Sequence, residues 1–98
     1  MTIIKTQNDN ALTIALTGRL DTTTASELEK EMQDSLNGLN ELVFDFENLE
    51  YISSAGLRVL LQAHKTMMKQ GDMKLIHVSD MIMEIFEVTG FTEILTIE

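Results

Sequence analysis

Two adjacent serines stand in the segment Glu50-Tyr51-Ile52-Ser53-Ser54-Ala55-Gly56-Leu57, where an apolar, strand-like run gives way to helical apolar spacing. A serine there sits at the start of a helix. The free N–H groups and partial positive charge of a helix N-terminus stabilise an added anion. Such a serine could be a nucleophile or could accept a phosphoryl group from another protein. A nucleophile elbow needs Gly-x-Ser-x-Gly on a strand-to-helix turn. Here Ile52 holds the first glycine position, where a bulky side chain hinders the strained turn. The chain has two histidines, His64 and His77, and no acid-then-histidine order follows the serine closely. The residues therefore favour modification of Ser54 over catalysis by it, and the chain reads as a non-enzyme.

Other chemistries lack their residues. There is no Gly-x-x-x-x-Gly-Lys or Gly-x-Gly-x-x-Gly phosphate loop. There is no cysteine, and no pair of histidines at metal-ligand spacing. No cofactor and no metal are expected. His64 and His77 both read as core or half-buried histidines.

The elements that must position Ser54 follow from periodicity. Thr2–Thr6 reads as an edge strand, Asn8-Asp9-Asn10 as a turn, and Ala11–Thr17 as a strand paired back on the first. Gly18-Arg19-Leu20-Asp21 reads as a loop. Thr24 and Glu27 fit a capping box, opening a helix with Ala25, Leu28, Met32, Leu36 and Leu39 on one face and Asn37-Gly38 at its end. Glu41–Phe46 is apolar enough for a central strand. The serine helix runs from near Ser54 to Gly71, and Asp72–Val78 is the next strand. Ser79 caps a short helix whose apolar face is Met81, Ile82, Ile85 and Phe86. Thr89-Gly90-Phe91 closes it before a last strand, Glu93–Ile97. The order β-β-α-β-α-β-α-β predicts a single α/β domain over residues 1–98. Its sheet of about five strands is mostly parallel, with an antiparallel N-terminal hairpin and about three helices.

Charge narrows the partners. The net charge is −9, from 16 acidic and 7 basic residues, which argues against nucleic acid and anionic membrane surfaces. No apolar run reaches membrane-spanning length, and the first residues do not resemble a secretory signal, so a cytoplasmic and monomeric domain is expected. The acidity is uneven. Tyr51 to Gly71 holds no acidic residue but contains Arg58, Lys65 and Lys69. At about 100° per residue, Leu57, Leu60, Leu61, His64 and Met68 share an arc expected to face the sheet. Ser54, Arg58, Lys65 and Lys69 share a second arc, expected roughly a quarter turn away and open to solvent. Arg58 follows Ser54 by one turn, where it could pair with a phosphate or simply be solvated.

At this point the residues resemble a family. Leu49-Glu50-Tyr51-Ile52-Ser53-Ser54-Ala55-Gly56-Leu57 resembles the phosphorylation loop of bacterial anti-sigma factor antagonists, the STAS domains. Leu16-Thr17-Gly18-Arg19-Leu20-Asp21 resembles the family's Gly-x-Leu-Asp turn. Gly71–Leu75 and Ile85–Phe91 resemble its closing strand and last helix. The resemblance implies that the protein binds an anti-sigma factor that is also a serine kinase, and so frees a sigma factor. Phosphorylation of the antagonist releases it, and a serine phosphatase restores it. Aligned on Gly56-Leu57, the acceptor is Ser54, Asp21 lies near the same loop, and Gly56 lets a partner approach closely. Partner contacts are thus expected from Asp21, Ser53, Ser54, Gly56 and Arg58. Two departures stand out. Ser53 replaces the Asp that often precedes the acceptor, making Ser53 a second candidate acceptor. Arg58 replaces a small residue of the best-known members. The alternative reading is a STAS-type phospho-regulated scaffold or binding module in another signalling complex, for example with a phosphatase. A small hydrolase is a distant third.

Overall fold

A computed structural model describes all 98 residues. Five strands form one sheet in the order β1-β2-β3-β4-β5: β1 (Thr2–Asn8), β2 (Ala11–Leu20), β3 (Glu41–Ile52), β4 (Asp72–Ile76) and β5 (Thr96–Ile97). β1 and β2 pair antiparallel and every other pair is parallel, as the alternation of strands and helices requires. The crossovers are α1 (Thr22–Gln33), α2 (Ser54–Met67) and α3 (Asp80–Thr89), with a short 3₁₀ turn at Phe91–Glu93.

Pleating divides the sheet into an inner and an outer face. Leu12, Ile14 and Leu16 of β2, Leu42, Phe44 and Phe46 of β3, and Met73 and Leu75 of β4 join the buried residues of all three helices in one core cluster. Phe44, Phe46, Phe86 and Phe91 form a chain of aromatic contacts with ring centroids 6.1–6.4 Å apart. This chain fastens α3 to the middle of the sheet. The outer face carries Thr13, Ala15, Asp45 and Ile76, all half-buried. Val43 is the one buried side chain outside the core cluster.

Several elements depart from their sequence-based limits, each for a local reason. Asp21, not Thr24, caps α1. Its carboxylate accepts from the Thr23 and Thr24 amides at 3.1 Å each, and its own N–H donates to the Thr24 hydroxyl at 2.8 Å. That is a capping box with Thr24 in the third helical position, so the helix starts earlier than expected. α1 also ends earlier, at Gln33. Leu36 and Leu39 are still buried, in the turn that follows. β4 stops at Ile76 because His77 adopts a left-handed φ of 58°. The last strand is only two residues long, since Phe91–Glu93 is taken up by the 3₁₀ turn.

β3 runs six residues past Phe46, through the segment expected to be loop. Its register against β2 slips twice, between the pairs Ala15↔Asp45 and Thr17↔Asn48, and between Gly18↔Leu49 and Arg19↔Tyr51. Each slip inserts one extra residue in β3. The inward positions then fall at Phe44, Phe46, Leu49 and Ile52, so the apolar spacing changes from two to three.

The C-terminal turn of α2 packs against the start of β3. The Gly71 amide donates to the Met67 carbonyl at 2.7 Å, and the Asp72 amide to the Asn40 carbonyl at 2.9 Å. A Cβ at Gly71 would lie 2.0 Å from the Asn40 carbonyl oxygen, so the two backbones would have to separate. Gly71→Ala should therefore destabilise the fold by ~1–3 kcal/mol. Urea unfolding followed by circular dichroism measures this, and an unchanged midpoint would contradict the packing described.

Candidate functional site

The serine segment is built by the far end of β3. Leu20 and Ile52 are register partners, and the Ser53 amide donates to the Leu20 carbonyl at 2.9 Å. This bond ties Ser53 to the residue preceding Asp21. It brings the N-terminal ends of α1 and α2 to one end of the molecule, where Asp21 and Ser53 directly follow the paired residues Leu20 and Ile52.

The two serines have different surroundings. Ser53 is the N-cap of α2. It is half-buried, and its hydroxyl accepts from the Gly56 amide at 3.4 Å. Ser and Asp serve about equally well as N-caps. Ser53 in place of the family's common Asp therefore keeps the capping function. Ser54 is the first helical residue, is exposed, and its hydroxyl makes no hydrogen bond within the chain.

Arg58 is exposed one turn beyond Ser54 and forms no ion pair. Lys65 and Lys69 are likewise exposed and unpaired. The buried face of α2 is not the expected arc. It comprises Gly56, Leu57, Val59, Leu60, Ala63 and Met67, while Leu61 and His64 are half-buried and Met68 is 69 % exposed. The small residues Gly56 and Ala63 lie near the centre of that face, and Gly56 sits directly against the Leu20 and Ile52 side chains. Relative to that centre, Ser54, Arg58 and Lys65 lie roughly half a turn away. The basic stripe thus faces directly away from the core.

Gly56 is buried, and the close approach it permits is internal rather than to a partner. A Cβ there would come within 2.8 Å of both the Ile52 and Leu20 side chains. Gly56→Ala should cost ~1–3 kcal/mol of stability by overpacking. It should also disturb the amide signals of Leu20, Ile52 and Ser53 in NMR spectra. An alanine variant of full stability would remove the proposed wedge.

Asp21 is half-buried, and its carboxyl lies below the usual carboxylate range. The Thr24 amide hydrogen bond is the main cause, acting against burial, with smaller help from the Thr24 hydroxyl, the Thr23 amide and the Arg19 charge. Arg19 was not singled out in the sequence. Its guanidinium carbon lies 4.3 Å from the centroid of the Tyr51 ring, its register partner on the outer face.

A second constellation is also unannounced by the sequence. His77, expected to be core or half-buried, is exposed. Its Nδ1 lies 2.8 Å from Asp45 Oδ1 and 3.7 Å from Glu47 Oε2. His77 lies just past the end of β4, in the left-handed region, and its ring meets Asp45 and Glu47, which share the outer face of β3. The Asp45 hydrogen bond holds the imidazole above its ordinary range, outweighing desolvation, with further help from the Asp45 and Glu47 charges. Burial pushes the Asp45 carboxyl up, but hydrogen bonds from His77 and the Glu47 amide, with the His77 charge, bring it below the usual range.

The raised imidazole stabilises the fold fully below the unfolded-state histidine pKa, and this is lost as pH rises through the folded value. The lowered carboxyl contributes above the unfolded-state carboxyl pKa, and this is lost as pH falls through its folded value. The pair should therefore stabilise most in the mildly acidic window between the two. In chelator-treated buffer, NMR titration of the His77 ring should show a lower midpoint in Asp45→Asn than in the parent. Equal midpoints would mean that Asp45 does not hold the ring.

A family model for the STAS domain matches residues 2–98. The chain belongs to the STAS domain family. BtrV of Bordetella bronchiseptica is 36% identical over 88 residues, covering 88% of this chain and 76% of that protein. The anti-sigma-B factor antagonist of Staphylococcus aureus is 30% identical over 98 residues, covering 97% of this chain and 90% of the relative. The fold is that of the anti-sigma factor antagonist SpoIIAA in its unphosphorylated form. The TM-score is 0.79 at 16% identity, over 99% of this chain and 87% of SpoIIAA. The phosphorylated form of SpoIIAA, a Bacillus cell fate determinant, superimposes with a TM-score of 0.78, also at 16% identity, over 99% of this chain and 91% of that one. The STAS fold and the mixed five-stranded sheet expected from the sequence are both present. No helix is long and apolar enough to cross a membrane.

Proposed function

We propose that this STAS domain is an anti-sigma factor antagonist whose binding to an anti-sigma factor is switched off by phosphorylation of Ser54. The reading takes its partner from the relatives, which carry the name anti-sigma-B factor antagonist. The anti-sigma factor acts as the serine kinase, and a serine phosphatase reverses the modification. SpoIIAA, solved in a phosphorylated form, is the structural precedent for such a covalent switch.

The observation that carries the choice of acceptor is the contrast between the two serines. The Ser53 hydroxyl is engaged as the helix cap, whereas the Ser54 hydroxyl is exposed and unengaged. Phosphorylating Ser53 would remove the cap; phosphorylating Ser54 would add charge beside free N–H groups and Arg58. Asp21, whose carboxylate holds the start of α1, shares this end and completes the surface that a partner would cover. Gly56 supports that surface from beneath, and Arg58 borders it.

The switch acts locally. Leu57, Val59, Leu60 and Met67 pin α2 to the sheet, each burial worth ~1.5–3 kcal/mol. A dipole or surface ion-pair contribution of ~0.3–1 kcal/mol is too small to dislodge them. The phosphate therefore changes the charge and bulk that the partner meets, while the fold persists.

Two measurements test the reading. With the anti-sigma kinase and ATP, mass spectrometry should find phosphate on Ser54; phosphate chiefly on Ser53 or a threonine would overturn the assignment. In calorimetric titrations with the anti-sigma factor, Ser54→Ala should retain affinity. Ser54→Asp should lose ~2–5 kcal/mol, the cost of desolvating an unpaired charge at an interface. Equal affinities would show that charge at this position is not the switch.

A further inference from the structure

We propose that Asp45, Glu47 and His77 form a binding site for a divalent transition metal of the zinc class, on the outer face of the sheet and apart from the serine segment. One imidazole nitrogen and two carboxylate oxygens converge there, all within 4.8 Å of one another. Around a metal at ~2.0–2.2 Å, neighbouring ligand atoms stand ~3–3.5 Å apart. The observed 2.8 Å and 3.7 Å from His77 Nδ1 already bracket that spacing. Closing the remaining gap needs only side-chain rotation, since Glu47 and His77 are both exposed.

The site is also short of positive charge. No lysine or arginine pairs with Asp45 or Glu47; the only cation either can meet is His77 itself, when protonated. Lys74, the basic residue of β4, is instead paired with Glu98 at 3.5 Å. When the imidazole is neutral, Nδ1–H can still donate to Asp45, but the two carboxylates then have no cation beside them. A divalent cation would supply that charge by taking the place of the Nδ1 proton between the ring and the two carboxylates.

The donor set selects the class of metal. Calcium and magnesium take oxygen ligands, whereas a nitrogen donor with two carboxylates suits zinc and its transition-metal neighbours. Three protein ligands leave at least one position to water. The ligands are partly pre-oriented. The Glu47 amide donates to Asp45 Oδ1 at 3.0 Å, which fixes that carboxylate. The hydrogen bond to Asp45 holds the His77 ring on the same carboxylate. A bound ion would clamp the end of β4 to the slipped segment of β3, at the point where these strands stop pairing after Asp45↔Ile76.

Zinc chloride titrated into chelator-treated protein provides the test, by calorimetry and by NMR of both histidine rings. The expected result is one saturable site per chain, with His77 ring signals shifting and His64 signals unmoved, and a rise in Tm that zinc alone produces. His77→Asn and Glu47→Gln change exposed side chains and should leave the fold intact. Each should weaken zinc binding about tenfold or more, whereas His64→Asn should leave it unchanged. No heat and no shift at millimolar zinc, equal affinity in the His77 and Glu47 variants, or equal shifts of both histidines would each overturn the site.

Discussion

Beyond Asp45, β3 loses its partner β4 but stays hydrogen-bonded to β2 as far as Ile52. The serine end of the molecule rests on that one-sided extension. A strand bonded on one side only would fray, were its inward residues Leu49 and Ile52 not buried in the core. The two slips against β2 let those residues face inward. The last pair, Leu20↔Ile52, then sets where both helices start: Asp21 caps α1 directly after it, and Ser53 caps α2. Gly56 seats α2 on the Leu20 and Ile52 side chains. Sheet register, two caps and one glycine thus fix the position of a single exposed hydroxyl.

This arrangement separates the packed face of α2 from its solvent face. The face of α2 toward the sheet is apolar and tightly approached, and the face opposite carries Ser54, Arg58 and Lys65, which touch nothing in the core. Charge can change on the outer face while the packing beneath is unaltered. The chain is strongly acidic overall, yet the serine helix is free of acidic residues from Tyr51 to Gly71. A phosphate at Ser54, as proposed, would enter the least acidic region of an acidic protein, where self-repulsion opposes it least.

The outer face of the sheet has a different character. No helix covers it, its side chains are small, polar or half-buried, and it holds both the Arg19–Tyr51 stack and the His77 cluster. Each of these sits beside one of the slips in β3. Asp45 and Glu47, two residues apart, share the outer face as the pleat dictates, and Arg19 and Tyr51 are register partners just past the second slip.

The sequence by itself determined the element order, the mixed sheet, the position of Ser54 at a helix start, and the family. These follow from local periodicity, capping chemistry and short motifs, all confined to neighbouring residues. Tertiary structure alone decided the rest. The extension of β3 was hidden because its apolar spacing changes from two to three where it slips against β2, and a slip is a property of two strands. The buried face of α2 differs from the arc of large residues because small ones, Gly56 and Ala63, are buried at its centre. Asp21 displaced Thr24 as cap because the end of β2, set by pairing with β3, delivers Asp21 to that place. His77 was assigned to the interior because its partners lie some thirty residues earlier, and only the parallel pairing of β3 with β4 brings them together.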